Sequence, residues 1–538
     1  MEAVALVAAL ATPSTRVLGD IRQLSRDVTW LQVRADLTGE ISTNWLRSNF
    51  PGKLLYTLPS RHGRVNFRIP DRERFDRMRT AAQEYDLVEL DADSDLTEEM
   101  LAAIPVERRL ISWRGPACNV FDLHATFARL AAVPAHSYCL VTTARKASDG
   151  LQPLLFLKAL GRKDVTAFCE GAAGFWSRLL APNFGSPFLF GRLDLQADQA
   201  AGPHIQQLRE DYGFPVLRPI QELYGIVGNP VLKSLSPRLH NAGYRILNYP
   251  ALFVPFHVES FEGFWRDMVE TPTLKSIGLP IKGLTVVSPH KEEALSVARR
   301  RSPMVRLTGA TNICVLRSGV WEAHTTDQES VAGVSRVGRT RRSRLRAAVV
   351  GCGGAGRAVA AALKQAGAEV TLVNRGKERG DRAVKLLGLP FVLLSKFKLS
   401  GFTLLVNATP VGRDGDSLPF EIDTLGRAPL VVDLVYGARP TPLVARVLAQ
   451  GGAVIDGYEV LLSQVRKQFR IMTGREMPAA IGRQIVISCA LGNFVRAETE
   501  WQNRNSPRSR ARESRPKPME MMLPNEGRRG GMKGISTQ

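Results

Sequence analysis

Residues 347–375 read AAVVGCGGAGRAVAAALKQAGAEVTLVNR, and this stretch decides the architecture of the C-terminal half. Four apolar residues, Ala347–Val350, run straight into Gly351-Cys352-Gly353-Gly354-Ala355-Gly356, and a helical pattern follows over Arg357–Gln365. The spaced glycines do different things. Gly351 makes the tight turn, Gly353 lets the backbone approach a pyrophosphate, and Gly356 lets helix and strand pack closely. Gly354 and Ala355 complete a helix N-terminus whose free N–H groups favour an anion. A bare GxGxxG is a weak signal, but here a strand precedes it and a helix follows. The next strand, Glu369–Val373, ends in Asn374-Arg375, where a ribose is read. An acid there would select NAD, whereas Arg375 with Lys377 behind it suits the 2′-phosphate of NADP through charge-assisted bonds.

Upstream, short apolar runs at Val4–Leu10, Thr29–Val33, Leu54–Thr57, Leu87–Leu90, Arg109–Trp113 and Tyr138–Thr142 alternate with longer amphipathic stretches. That rhythm is the pattern of βα units on a parallel sheet, and over some 215 residues it suits either a (β/α)₈ barrel or a doubly wound sheet. Tyr212–Pro219 carries two prolines in five residues and reads as a linker. A second α/β stretch begins at Leu223, with strands at Tyr224–Val227 and Gly283–Val287. Domain boundaries are therefore set at 1–217, 222–335 and 336–495, with 496–538, rich in Arg, Ser, Pro, Gly and Met, as a disordered basic tail. A chain of 538 residues is too long for one core, and 44% apolar with 23% charged residues is the composition of a globular protein. The six cysteines form no CxxC pair and no zinc spacing, so neither a disulfide framework nor a metal site is expected. Ala3–Ala11 is too short for a membrane helix and follows Glu2 rather than a basic segment, so it reads as a first buried strand of a cytoplasmic protein.

The segment 223–241, LYGIVGNPVLKSLSPRLHN, resembles the opening YGxxGxPxxxSxSPxxHN of shikimate dehydrogenases. Six further motifs follow in that family's order: Pro289-His290-Lys291-Glu292, Gly309-Ala310-Thr311-Asn312, Thr326-Asp327, Asn407-Ala408-Thr409-Pro410-Val411-Gly412, Asp433-Leu434-Val435-Tyr436 and Gly457 to Gln464. The resemblance implies NADP-linked interconversion of 3-dehydroshikimate and shikimate, in the route to chorismate and the aromatic amino acids. It places Lys291 and Asp327 at the reacting hydroxyl, an ammonium/carboxylate pair suited to moving its proton. Ser234 and Ser236, read as facing one way on an extended segment, would bind the substrate carboxylate, while Asn312, Tyr436 and Gln464 would complete the substrate site. Asn407, Thr409 and Gly457 would join the glycine loop in holding the cofactor. Two departures matter: the Thr of Thr-x-Pro-x-Lys is Val287, and Asn-Thr-Asp has become Thr325-Thr326-Asp327. A lost hydrogen bond to a substrate hydroxyl costs roughly 0.5–1.5 kcal/mol, so altered preference is expected rather than inactivity.

Residues 1–215 resemble type I 3-dehydroquinate dehydratase, which implies an N-terminal (β/α)₈ barrel ahead of a two-domain unit with a Rossmann NADP domain. Fusion of the two enzymes is a known arrangement. The matching segments include Val33-Arg34-Ala35-Asp36, Leu55–Ser60, Val88-Glu89-Leu90, Tyr138–Ala144 and Gly174–Arg178. Dehydration in that family uses a lysine Schiff base and a histidine acid/base. Here the lysine of Tyr-Lys-x-Val is Cys139, and the histidine of Ser-x-His is Arg114. A thiol forms no imine, and a permanently charged guanidinium is a poor proton shuttle. Gln32 replaces a Glu, Pro59 an Arg and His204 a Gln, while Arg34, Glu89 and Arg178 remain. The barrel is expected to be catalytically degenerate. A bifunctional enzyme, or a barrel kept as a metabolite-binding or scaffolding module, are the alternatives.

The net charge of +21 invites a nucleic-acid reading, and six arginines crowd residues 336–346. The tail adds ten basic and five acidic residues, so these two segments hold about half of the excess. Neither carries interleaved aromatics or a recognisable module, and no specific nucleic-acid partner is expected. Anionic small-molecule ligands account for much of the rest. The expected partners are shikimate or 3-dehydroshikimate, with no membrane, and a homodimer is the candidate assembly, although the sequence does not give the oligomeric state.

Overall fold

The computed structural model describes residues 3–12, 18–19, 21–22, 24–59, 69–193, 202–334, 345–413, 415–420, 422, 429–437 and 439–478. Most of the arginine run and the whole basic tail lie outside them. Residues Met1–Val486 form one unit by their contacts, and all the described residues lie within it.

Eight strands begin the chain: β1 (Ala5–Leu10), β2 (Val28–Arg34), β3 (Lys53–Thr57), β4 (Leu87–Asp91), β5 (Arg109–Pro116), β6 (Ser137–Thr143), β7 (Val165–Glu170) and β8 (Phe188–Arg192). Their order is β7-β6-β5-β4-β3-β2-β1-β8, and every neighbouring pair is parallel. Strands β1 to β7 add one after another in a single direction and β8 returns beside β1, which is the cyclic order of a barrel and not the reversing order of a doubly wound sheet. The seam between β7 and β8 is closed by side chains: Ala167 N donates to Ser186 Oγ at 3.3 Å and Phe188 N to Thr166 Oγ1 at 3.4 Å. The apolar runs read from the sequence did not include β7 and β8, although Val165–Cys169 and Phe188–Phe190 are mostly apolar.

The Tyr212–Pro219 segment is not a free linker. Pro215 O accepts from Val4 N at 3.1 Å, and Val216 forms an antiparallel bridge with Ala3. Proline lacks the N–H but keeps its carbonyl, so the two prolines did not prevent pairing. The barrel's core continues into the next domain, joining Trp176 and Leu180 to Val254, Phe256 and Phe261. Polar ties flank it: Lys146 Nζ to Asp267 Oδ2 at 2.8 Å, Lys158 Nζ to Ser276 O at 2.9 Å and Arg238 Nε to Asp211 Oδ1 at 2.5 Å.

The second sheet contains β9 (Glu222–Gly228), β10 (Ala251–His257), β11 (Ile281–Val286), β12 (Arg300–Arg301), β13 (Ile313–Arg317) and β14 (Val320–His324), in the order β10-β9-β11-β13-β14-β12. Strands β10, β9 and β11 are parallel to one another. The third contains β15 (Arg346–Val350), β16 (Glu369–Asn374), β17 (Phe391–Leu393), β18 (Leu404–Asn407), β19 (Leu430–Asp433) and β20 (Val454–Ile455). Its all-parallel order, β17-β16-β15-β18-β19-β20, is the doubly wound nucleotide-binding arrangement, whose ligand crevice lies beyond the ends of β15 and β18. The helix after β15 begins at Gly354 rather than at Arg357. The last described helix, Gly457–Thr473, leaves this sheet and packs Leu461, Val465, Phe469 and Met472 against Tyr224, Ile226 and Phe253 of the second.

Candidate functional site

Parallel β9 and β11 place the turns after Gly228 and Val286 side by side. There Lys291 Nζ donates to both oxygens of Asp327, at 2.6 and 2.9 Å. Asp327 is buried, at the start of the short helix after β14, and Lys291 is mostly covered. Asn312 Nδ2 donates to Asp327 Oδ1 at 3.1 Å, while its Oδ1 accepts from Thr326 N at 2.9 Å. Gln464 Nε2 reaches Ser330 Oγ at 2.9 Å and Asp327 Oδ1 at 3.4 Å. One helical turn later Gln468 bridges Thr326 Oγ1 and Thr285 Oγ1, each at 3.3 Å. The carboxylate is thus held from three segments, those of Lys291, Asn312 and Gln464, and the arrangement can accept and release a proton at the ammonium beside it.

Ser234 and Ser236 do not share an extended segment. Ser236 is the first residue of helix Ser236–Ile246, and Ser234 Oγ accepts from Ser236 N at 3.2 Å in the turn before it. Val287 lies against Gly228, whose added Cβ would meet Val287 Cγ2 at 2.3 Å. Tyr436 packs with Val287 on the same apolar cluster, its ring 5.8 Å from that of Tyr458.

The crevice of the third sheet has the shape an anionic dinucleotide needs. Gly351 sits at φ +109°, and a Cβ on Gly356 would lie 1.7 Å from Gly351 O. A Cβ on Gly353 would meet nothing within 4 Å, which leaves room for a phosphate against the loop. Asn374 Oδ1 accepts from Cys352 N at 3.2 Å, and Arg375 and Lys377 stand exposed beyond it. Asn407 is fully buried and braces the opposite wall, bonding Thr409 Oγ1 at 2.7 Å and Asp433 Oδ1 at 2.9 Å. Burial pushes the Asp433 carboxyl above its ordinary range, opposed by Thr441, Val435 N and Asn407. Gly457 is required by close approach, since a Cβ there would lie 2.1 Å from Val435 O.

At the barrel mouth, Gln32 Nε2 donates to Thr57 Oγ1 at 2.9 Å and to Glu89 Oε2 at 3.2 Å. Arg114 stands over Glu89 at 3.4 Å and Glu170 at 3.7 Å. Burial pushes the Glu89 carboxyl up, but Arg114, Thr57 and Ser112 outweigh it and hold it below the ordinary range. Burial pushes the Cys139 thiol up to about 12, so it is protonated at neutral pH and a poor nucleophile. Arg34 pairs with Asp36 at 2.6 Å. Pro59 follows the end of β3, and His204 caps helix Ile205–Tyr212, accepting from Gln206 N at Nδ1 while Nε2 donates to Leu193 O at 2.9 Å. Arg178 is buried, lies 4.3 Å over the Phe168 ring and leaves its Nε without a partner. Burial lowers it to about 10. Lys146 and Lys158 point to the neighbouring domain instead.

Among proteins of known identity, the shikimate dehydrogenase (NADP(+)) of Halobacterium salinarum is 35% identical over 269 residues, covering 49% of this chain and 97% of that one. The chain belongs to the shikimate dehydrogenase family. A family profile for the shikimate dehydrogenase substrate binding domain matches residues 226–314, and one for type I 3-dehydroquinase matches residues 9–215. The chloroplastic bifunctional 3-dehydroquinate dehydratase/shikimate dehydrogenase of Arabidopsis thaliana is 27% identical over 389 residues, and the match takes in 68% of this chain and 63% of that protein. The solved structure of dehydroquinate dehydratase and shikimate dehydrogenase from S. pombe is 19% identical, with 90% of this chain and 98% of that one covered at a TM-score of 0.40. The barrel and dinucleotide-fold assignments stand on strand order.

In the dehydrogenase half the structure joins Lys291, Asp327, Asn312 and Gln464 by hydrogen bonds, and sets the glycine loop, Asn374, Arg375, Lys377, Thr409 and Gly457 around one crevice. Ser234 and Ser236 line the same sheet end without bonding to that group. Sequence reasoning assigned no role to Gln468, Arg357, Glu292 or Asp433. Gln468 follows Gln464 by four residues, a spacing that places both on one helix face, and that signal was available. Among the described residues no group of three or more His, Cys, Asp and Glu side chains is placed to hold a metal ion, and no helix is long and apolar enough to cross a membrane.

Proposed function

We propose that residues 222–495 interconvert shikimate and 3-dehydroshikimate with NADP, and that the barrel of residues 1–217 has lost dehydratase chemistry. The observation that carries the first part is the Lys291–Asp327 pair, 2.6 Å apart, directly beside Gly354 of the dinucleotide loop. The open face at Gly353, the helix N-terminus behind it and exposed Arg375 and Lys377 fit the pyrophosphate and 2′-phosphate of NADP. When bound, NADP supplies the hydride acceptor. Lys291 and Asp327 take the hydroxyl proton, Asn312 and Gln464 hold the carboxylate of Asp327 and orient substrate hydroxyls, and Ser234 and Ser236 offer hydroxyls to the substrate carboxylate. Tyr436 closes the apolar wall opposite Val287. NADP-linked oxidation of shikimate by the purified chain, lost by about two to four orders of magnitude in Lys291→Ala and Asp327→Ala, is the expected result. Near-normal turnover in both variants would remove the assignment.

Support for a silent barrel is chemical: a buried, protonated Cys139 where an imine-forming amine is needed, and Arg114 where a proton shuttle is needed. A second reading, a barrel that holds an acidic metabolite without converting it, is favoured by the buried Arg178, whose Nε has no partner. Saturable heat on titration with quinate, absent in Arg178→Met, would establish it.

A further inference from the structure

Between the two halves of the dehydrogenase lies a charge cluster, built on one buried arginine, that the chemistry described so far does not use. Arg357, three residues past Gly354, is fully buried. Its Nε donates to Thr308 O at 2.7 Å, Nη1 to Cys352 O at 3.1 Å, and Nη2 to Glu292 Oε1 at 2.7 Å and Gly309 O at 3.4 Å. Glu292 follows Lys291 directly in sequence, and its second oxygen accepts from Arg382 Nη1 at 2.5 Å. One guanidinium therefore ties together the lysine turn, the loop that carries Asn312, and the glycine loop of the dinucleotide crevice. These segments also touch above it: a Cβ on Gly354 would lie 2.8 Å from Ala310 Cβ and 3.4 Å from Lys291 Cδ. Nothing but glycine lets the dinucleotide loop ride on the methylene stem of Lys291.

Hydride transfer requires the donor and acceptor carbons and the proton-transfer group to be registered to within a fraction of an ångström, and small misplacements cost large factors in rate. Carbonyl and carboxylate acceptors around a planar, permanently charged fork fix that register more rigidly than apolar packing would. We propose that Arg357 and Glu292 form a clasp that holds the Lys291–Asp327 pair in register with the dinucleotide loop. They are positioning residues: neither contacts the reacting atoms, and each acts through a different end. Arg357 anchors the cofactor loop through the Cys352 carbonyl, and Glu292 anchors the lysine turn. The inference rests on the dehydrogenase reading given above.

The two ends separate in a kinetic test. Glu292→Gln is expected to lower kcat for shikimate oxidation tenfold or more while the dissociation constant for NADPH, measured by its own fluorescence, stays within threefold of wild type. Arg357→Met is expected to lower kcat and also to weaken NADPH binding tenfold or more. Arg382→Gln, which leaves the buried contact in place, should change kcat less than threefold. Turnover of Glu292→Gln within twofold of wild type would overturn the clasp, as would kcat, NADPH affinity and melting temperature falling together in that variant. Should Arg357→Met fail to fold, Glu292→Gln beside Arg382→Gln still decides. A wild-type chain without NADP-linked turnover would count against the functional reading alone. The clasp would then be judged on NADPH affinity, supported if only Arg357→Met weakens it and overturned if both or neither does.

Discussion

Lys291 and Asp327 are 36 positions apart in sequence and 2.6 Å apart in space, and neither residue means anything until the strand order of the second sheet brings them together. Motif resemblance named both, because the types and their flanking residues are unusual. It had no means of naming Gln468 or Arg357, whose value lies in which carbonyls and hydroxyls surround them. Arg375 stands at the other extreme, exposed and readable from its place at the end of β16. Replacing it with Ser should raise the Michaelis constant for NADP more than tenfold and that for NAD less than twofold, since only the 2′-phosphate loses a partner. Equal effects on both nucleotides in steady-state kinetics would place the ribose elsewhere. Cys139 shows how far a residue type alone can be read: that it forms no imine follows from sulfur, but that it is also unreactive follows only from its burial.

Among the elements, helix Ser236–Ile246 shows where periodicity misleads. Ser-x-Ser looks like alternation along a strand, yet the proline at 237 is tolerated in a first helical turn and the chain turns into a helix. The same helix buries His240 against Phe253, the rings 4.2 Å apart and nearly parallel. Burial lowers His240 to about 3, with Gln468 opposing. The unfolded chain, with an ordinary value near 6.5, binds the proton first, so this residue's contribution is complete above pH 6.5 and is lost as pH falls toward 3. Between pH 7 and 5 the loss should be about 2 kcal/mol. Urea denaturation of His240→Phe at both pH values should show that much less acid sensitivity than wild type, and equal sensitivity would mean the imidazole is already charged in the fold.

At the scale of the whole chain, the sequence reads as two enzyme-sized halves that the structure joins. Alternating apolar runs revealed the βα rhythm but left barrel and doubly wound sheet undecided, because both bury parallel strands on two faces. Closure depends on β8 returning beside β1, a long-range pairing with no local signature. The junction was equally hidden: its apolar side chains look like ordinary core, and Lys146 and Lys158 look like surface. Asp211 is buried beneath Arg238 there. Arg238→Ala should cost about 3 kcal/mol by stranding that carboxylate. Thermal unfolding should stay a single transition, since one apolar core spans both sides; two separated transitions would show that the halves fold independently. The central claim, that two enzymes' worth of fold carries one enzyme's chemistry, is tested most directly by offering one preparation both substrates in separate reactions. The predicted result is NADPH oxidation with 3-dehydroshikimate and no formation of 3-dehydroshikimate from 3-dehydroquinate; dehydration at a rate that scales with this protein and not with host contaminants would contradict it.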